Sequence, residues 1–146
     1  MSGWTKYNAQ SSFGTVDNKI VLESMDDAAT VALGGKWRIP TFEEWMELSN
    51  TDNCSWTWTT IDGVNGYKVQ SKKSGYTDNW IFLPAAGGYR GGTHLSGVGS
   101  YGAYWSSSLN TSYPYHAYYL LFLSGGDVRR NNYRRYCGHS VRPVSE

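Results

Sequence analysis

Three histidines, two cysteines and a few clustered carboxylates are the side chains of this 146-residue chain with the means for chemistry. Cys54 and Cys137 could pair, but two lone cysteines specify no framework, and neither carries a recognisable nucleophilic or redox setting. Cys137 reads better as a free thiol acquired by chance. His94 lies far from the other two histidines, and no acidic cluster accompanies His116 or His139. Solvated surface roles therefore outrank metal ligation for them. Glu43, Glu44 and Glu47 have no nucleophile, histidine or metal-ligand spacing beside them, so they read as a solvated helix face. Gly87, Gly88, Gly91 and Gly92 surround Tyr89-Arg90 without phosphate-loop or dinucleotide spacing, which points to tight turning between strands. The expectation is a protein that is not an enzyme and needs no cofactor and no metal.

The chemistry that remains is recognition. The stretch from Tyr104 to Val144 opens with Tyr104-Trp105-Ser106-Ser107-Ser108 and closes with Gly138-His139-Ser140-Val141-Arg142-Pro143-Val144. Between those ends lies a polar, tyrosine-rich run. From Ser106 to Ser145 there is no Lys, Glu, Gln, Met or Trp, whereas the chain up to Trp105 holds 6 Lys, 4 Glu, 2 Gln, 3 Met and 7 Trp. A uniform chain would place roughly eight of these in the later stretch. Basic residues switch too, with five Arg and no Lys after Ser106. Changing the first two bases of an AAC codon yields Asn, Tyr, His, Asp, Arg, Leu, Phe, Ser or Cys, among others. It never yields Lys, Glu, Gln, Met or Trp. The alternative is an edge sheet that happens to be rich in Tyr and Arg.

The residues read as a variable ligand surface are Tyr113, Tyr115 and His116, then Tyr119, Leu121 and Leu123. Asp127, Arg129, Asn131, Asn132, Tyr133, Arg134, Tyr136 and Cys137 follow them. Val128 and Arg135 read as framework. Tyr gives wide contact at low rotamer entropy, Arg gives forked donors, and Asn adapts. His116 to Leu123 has the length and apolar content of a strand. Alternation sends Tyr118, Leu120 and Phe122 to the core and Tyr119, Leu121 and Leu123 to the other face. An exposed Tyr-Leu-Leu row is a binding surface, unless the strand is buried on both faces.

Other elements must position that stretch. The length suits one domain, residues 1–146, with a sizeable core. A balance of 13 basic and 12 acidic residues argues against a nucleic-acid partner. No apolar run approaches a membrane span, and no signal peptide opens the chain. Lys19-Ile20-Val21-Leu22 reads as a short strand. Ser24 reads as an N-cap, with Asp26 and Asp27 in the first turn and Ala28, Ala29, Ala32 and Leu33 as a small-residue face. Gly34-Gly35 stops that helix. Lys36 to Pro40 is extended. Thr41-Phe42-Glu43-Glu44 is a capping box opening a second helix to about Ser49, with Trp45, Met46 and Leu48 as buried candidates. From Ser55 the period is two. Asp62-Gly63 and Asn65-Gly66 are turn signals, and Tyr67-Lys68-Val69 is the returning strand. Lys72 to Asn79 is a loop, and Trp80 to Pro84 is an apolar strand.

Five pieces combine: Gly34-Gly35-Lys36-Trp37-Arg38-Ile39-Pro40-Thr41, Glu44, Phe82-Leu83-Pro84-Ala85-Ala86-Gly87, Tyr104-Trp105-Ser106-Ser107, and Gly138 to Val144. Together, from about Met25 to Val144, they resemble the Fibrobacter succinogenes major paralogous domain. They also resemble variable proteins of diversity-generating retroelements, in which adenine-directed mutagenesis changes chosen codons of the C-terminal segment. The resemblance implies an α+β, C-type-lectin-like fold related to the formylglycine-generating enzymes. In it two helices pack on twisted antiparallel strands, and a variable ligand-binding segment at about 108–139 is presented. It implies a phage-particle or bacterial-surface location and a protein or cell-surface ligand. An undiversified adhesive or structural surface domain of the same family is the alternative. The oligomeric state stays open. Calcium-dependent sugar binding finds no support, because Asp78-Asn79-Trp80 echoes a lectin motif in the wrong order. The reactive cysteines that enzymes of the related fold require have no counterpart setting at Cys54 or Cys137.

Overall fold

The computed structural model describes residues 3–89, 91 and 94–145. Among them, a 3-10 turn at Ser11–Phe13 precedes helices α1 (Ala28–Leu33) and α2 (Phe42–Ser49). The strands are β1 (Trp37–Arg38), β2 (Cys54–Ile61), β3 (Val64–Ser71), β4 (Trp80–Pro84), β5 (Gly88–Tyr89), β6 (Leu95–Ser96), β7 (Tyr101–Leu109), β8 (His116–Leu123), β9 (Val128–Arg134) and β10 (Val144–Ser145). They form sheets in the orders β1-β10, β2-β3-β4, β5-β6 and β7-β8-β9, and every ladder is antiparallel. The architecture is a mixed helix-and-strand one without a barrel. Among the described residues no helix is long and apolar enough to cross a membrane.

Local sequence explains most elements. The β2–β3 hairpin turns at Asp62-Gly63, both with positive φ, 50° and 80°. That geometry matches the right-handed twist of the flanking strands. Asn65-Gly66, expected as a second turn, lies inside β3 instead. A Cβ on Gly66 would stand 2.3 Å from the Leu83 carbonyl oxygen, so this glycine serves close strand approach. Strands β4 and β8 occupy the expected spans, and the loop at Lys72 to Asn79 separates β3 from β4. Lys19 to Leu22 is not a strand. It makes one bridge, Val21 to Ser108, and leaves Ile20 and Val21 exposed. Arg90, Gly92 and Thr93 of the glycine-rich loop lie outside the described residues.

Helix α1 starts later than its sequence signals imply. Its N-cap is Asp27, not Ser24. Asp27 Oδ1 accepts from the Ala29 and Thr30 amides at 2.8 and 3.1 Å, while Oδ2 accepts from the Ile39 amide at 2.8 Å. The buried carboxylate thus caps the helix and holds the chain entering α2. Of the small-residue face only Ala29 is buried, because a six-residue helix turns too little surface inward. Helix α2 is capped by Thr41 and Glu44, each accepting from the other's backbone amide. Glu44 also takes the Arg38 fork, with both N–O distances 2.7 Å, so it belongs to the framework and not to a solvated face. Trp45 is buried and Leu48 packs against the core, whereas Met46 points outward.

The core joins α2, the β2-β3-β4 sheet and one face of the β7-β8-β9 sheet. Trp45, Tyr67, Val69, Leu83, Ala85, Tyr104, Leu120 and Phe122 are its buried members, with Trp56 and Trp58 packed against them. Tyr67 meets Phe122 edge-on at 5.3 Å and Trp58 edge-on at 5.1 Å. Gly102 lies opposite Phe122, and a Cβ there would stand 2.2 Å from the ring. Tyr104 donates its hydroxyl to the Pro84 carbonyl at 2.8 Å, and burial pushes its pKa up to about 12.

Candidate ligand-binding surface

The outer face of the β7-β8-β9 sheet is built by register. Trp105 pairs with Tyr119, Ala103 with Leu121 and Tyr101 with Leu123, while Tyr119 pairs with Asn131, Leu121 with Arg129 and Ala117 with Tyr133. Directly paired residues share a face. One face therefore carries Tyr119, Leu121 and Leu123 from β8 and Arg129, Asn131 and Tyr133 from β9, beside Tyr101, Ala103 and Trp105 from β7. The opposite face carries Leu120 and Phe122, both fully buried, and Tyr118, stacked on Phe42 at 4.2 Å. The alternation expected along His116 to Leu123 holds.

Exposure does not follow it throughout. Tyr119 is only 5% exposed, which corrects the expected open Tyr-Leu-Leu row. Trp105 meets it at 5.9 Å, His139 stacks on it at 5.0 Å, and Tyr133 lies at 6.3 Å. Leu121 is half-buried and Leu123 is exposed. The row thus climbs from a covered ring to open surface. Cys137 is also buried, and its free thiol sits beneath the surface rather than on it. Tight turning there explains this, since the Cys137 amide donates back to the Arg134 carbonyl.

The remaining candidates do not all join that face: His116, Asn132 and Arg134 have the opposite parity, and the others lie in the flanking turns. Tyr113 is exposed in the β7–β8 connection, where Asn110 Oδ1 accepts from the Ser112 and Tyr113 amides. Tyr115 packs between Phe13 at 5.4 Å and His116 at 4.6 Å. His116 Nδ1 lies 2.6 Å from Asn132 Oδ1, and by register both share parity with Arg134 on the other side of the sheet. Asp127 pairs with Arg129, whose pKa its hydrogen bond raises. Arg134 donates to the Tyr136 hydroxyl at 2.6 Å, and both side chains are exposed. Strand β9 is the outer edge of this sheet.

Framework residues hold that surface from three sides. Between Trp105 and Leu109, β7 bulges against β8. The serines there supply what the bulge takes from the ladder. Ser106 Oγ donates to the Tyr118 carbonyl, Ser108 Oγ accepts from the Phe42 amide, and the Ser107 amide donates to Pro40. At the other edge of β7, the Ser140 amide donates to Ala103 and Ser140 accepts from the Trp105 amide, which swings His139 over Trp105 at 4.4 Å. Arg135 donates to the Tyr7 and Pro114 carbonyls and lies 4.4 Å over the Trp4 ring.

Sequence reading missed Trp105 and His139 as parts of this face. His139 reads as solvated and Trp105 only as part of the motif that opens the stretch, because what brings them together is the bridge at Ser140 and not spacing. Among the described residues no group of three His, Cys, Asp or Glu side chains gathers as a metal site. Compared with protein-family models, curated proteins and solved structures, the chain matches none.

Proposed function

We propose that this chain is a non-enzymatic display protein with a C-type-lectin-like scaffold, whose C-terminal region at about 108–139 binds a protein or cell-surface ligand. The region is diversified by a retroelement, and the protein is carried on a phage particle or a bacterial surface. The supporting observation is convergence. Alternation along β8 points to Leu121 and Leu123, residue type points to Arg129, Asn131 and Tyr133, and all five share one face of one sheet. The residue types between them, Phe122 and Leu120, fill the core. The pairing of β1 with β10, which joins the chain before α2 to its C-terminal end, fits such a scaffold. Ligand identity follows from selection at the surface and not from the fold.

A second reading is an undiversified adhesive or structural surface domain of the same family. The burial of Tyr119 and Cys137 favours it at those two positions, since packing accounts for them without variation. The gene sequence separates the readings. Diversification requires the codons of Tyr115, Tyr119, Leu121, Leu123, Arg129, Asn131, Asn132 and Tyr133 to end in C. Mixed third bases across these positions would remove the argument for it.

A further inference from the structure

A cavity of about 180 Å³ opens beside Trp105, between β7–β8 and the segments that cross them. Leu22, Ile39, Leu109 and Ala117 give it an apolar lining, and Arg135 lies in its wall. The serines of the bulge also border it, but their hydroxyls are engaged with Tyr118, Pro40 and Phe42. Arg135 differs. Among the described residues it hydrogen-bonds through Nη1 alone, to the carbonyls of Tyr7 at 3.2 Å and Pro114 at 2.9 Å. Among the described residues no carboxylate stands within ion-pair distance of it. Asp17 acts on it electrostatically, but that carboxylate accepts from the backbone amides of Tyr7, Asn8 and Lys19.

A half-buried guanidinium with donors to spare, beside an apolar cavity, calls for an anion with an apolar body. A carboxylate matches the guanidinium fork. For scale, a dry cavity of roughly 150 Å³ accepts benzene. We propose that this cavity binds a small monocarboxylic acid with an aromatic or aliphatic body of about six to eight carbons, its carboxylate held by Arg135. None of the lining residues belongs to the proposed variable set. The site is therefore constant whatever the neighbouring surface becomes, and it stands or falls independently of diversification.

Phenylacetate and hexanoate are the probes, titrated into the whole isotope-labelled chain, with phenylacetamide as the neutral isostere. Saturable amide shifts at Leu22, Ile39, Leu109 and Ala117 are expected from both acids, with phenylacetamide at least roughly tenfold weaker. Arg135→Gln is expected to weaken phenylacetate by a similar factor. Because Arg135 also holds the N-terminal segment, Ala117→Leu provides the second variant. It fills the cavity with the guanidinium in place and should abolish the shifts while keeping a dispersed spectrum. The proposal is overturned by no saturable shift at these positions up to about 10 mM. It is equally overturned if phenylacetamide matches phenylacetate or if folded Ala117→Leu binds undiminished.

Discussion

Phe122 is enclosed by Tyr67, Tyr104, Trp56 and Trp58, and its ring occupies the space a side chain on Gly102 would need. Phe122→Ala should therefore cost about 3–5 kcal/mol in a denaturant titration, the usual range for emptying a buried aromatic site. One position away, Leu123→Asn should change stability by less than about 0.5 kcal/mol, because Leu123 is exposed. Tyr119→Ser belongs with the first, not the second. It removes a ring from beneath Trp105, Tyr133 and His139, so a loss of about 3 kcal/mol is expected. If Tyr119→Ser unfolds at the wild-type midpoint, the aromatic cover is not packed as described. Tyr104 adds an alkaline signature. Its folded pKa is raised by burial, so the unfolded chain ionises first, and stability should fall as pH rises from about 10 towards about 12. Tyr104→Phe should flatten that limb of a stability–pH curve.

The start of α2 concentrates three interactions on one carboxylate. Glu44 accepts from Arg38 and from the Thr41 amide, and the Arg38 hydrogen bond is the first cause of its lowered pKa. A depressed folded pKa stabilises above the unfolded value, about 4.3, and that stabilisation is lost as pH falls through the folded one. Melting temperature should accordingly drop less on acidification for Glu44→Gln than for the wild type. An equal drop would mean that Glu44 is not the group being protonated. Thr41→Ala should cost about 1 kcal/mol by loss of the cap hydroxyl. This helix was legible in the sequence because its signals are local: a cap, its reciprocal acid, and one buried tryptophan. The Asp62-Gly63 hairpin, the strand at Trp80 to Pro84 and the alternation along His116 to Leu123 were legible for the same reason. What escaped depends on distant partners. Asp27 outcompetes Ser24 as a cap because its second oxygen reaches Ile39. Gly66 is a strand glycine because Leu83 approaches it. Tyr119 is covered by residues that only the bulge and the bridge at Ser140 bring near.

At the scale of the molecule, the N-terminal segment acts as a strap across the end of the candidate surface. Asp17 accepts from three backbone amides and folds the segment on itself. Gln10 then donates to the carbonyls of Thr111 and Ser112, and Arg135 reaches back to Tyr7. Asp17→Asn should speed hydrogen exchange of the Tyr7 and Asn8 amides by roughly tenfold or more, with β2–β4 unchanged. Unchanged exchange at Tyr7 would show that the strap is held by its aromatic contacts alone. The position of β9 has a further consequence. An edge strand offers a row of unsatisfied backbone groups to any passing chain, and arginines along it are a natural guard. Arg129, Arg130 and Arg134 stand along this edge, all exposed. If the surface is rewritten over generations, the limit on acceptable versions is then colloidal and not conformational. A version that trades Arg129 and Arg134 for leucine or phenylalanine is expected to fold as before, yet to polymerise edge to edge at high concentration.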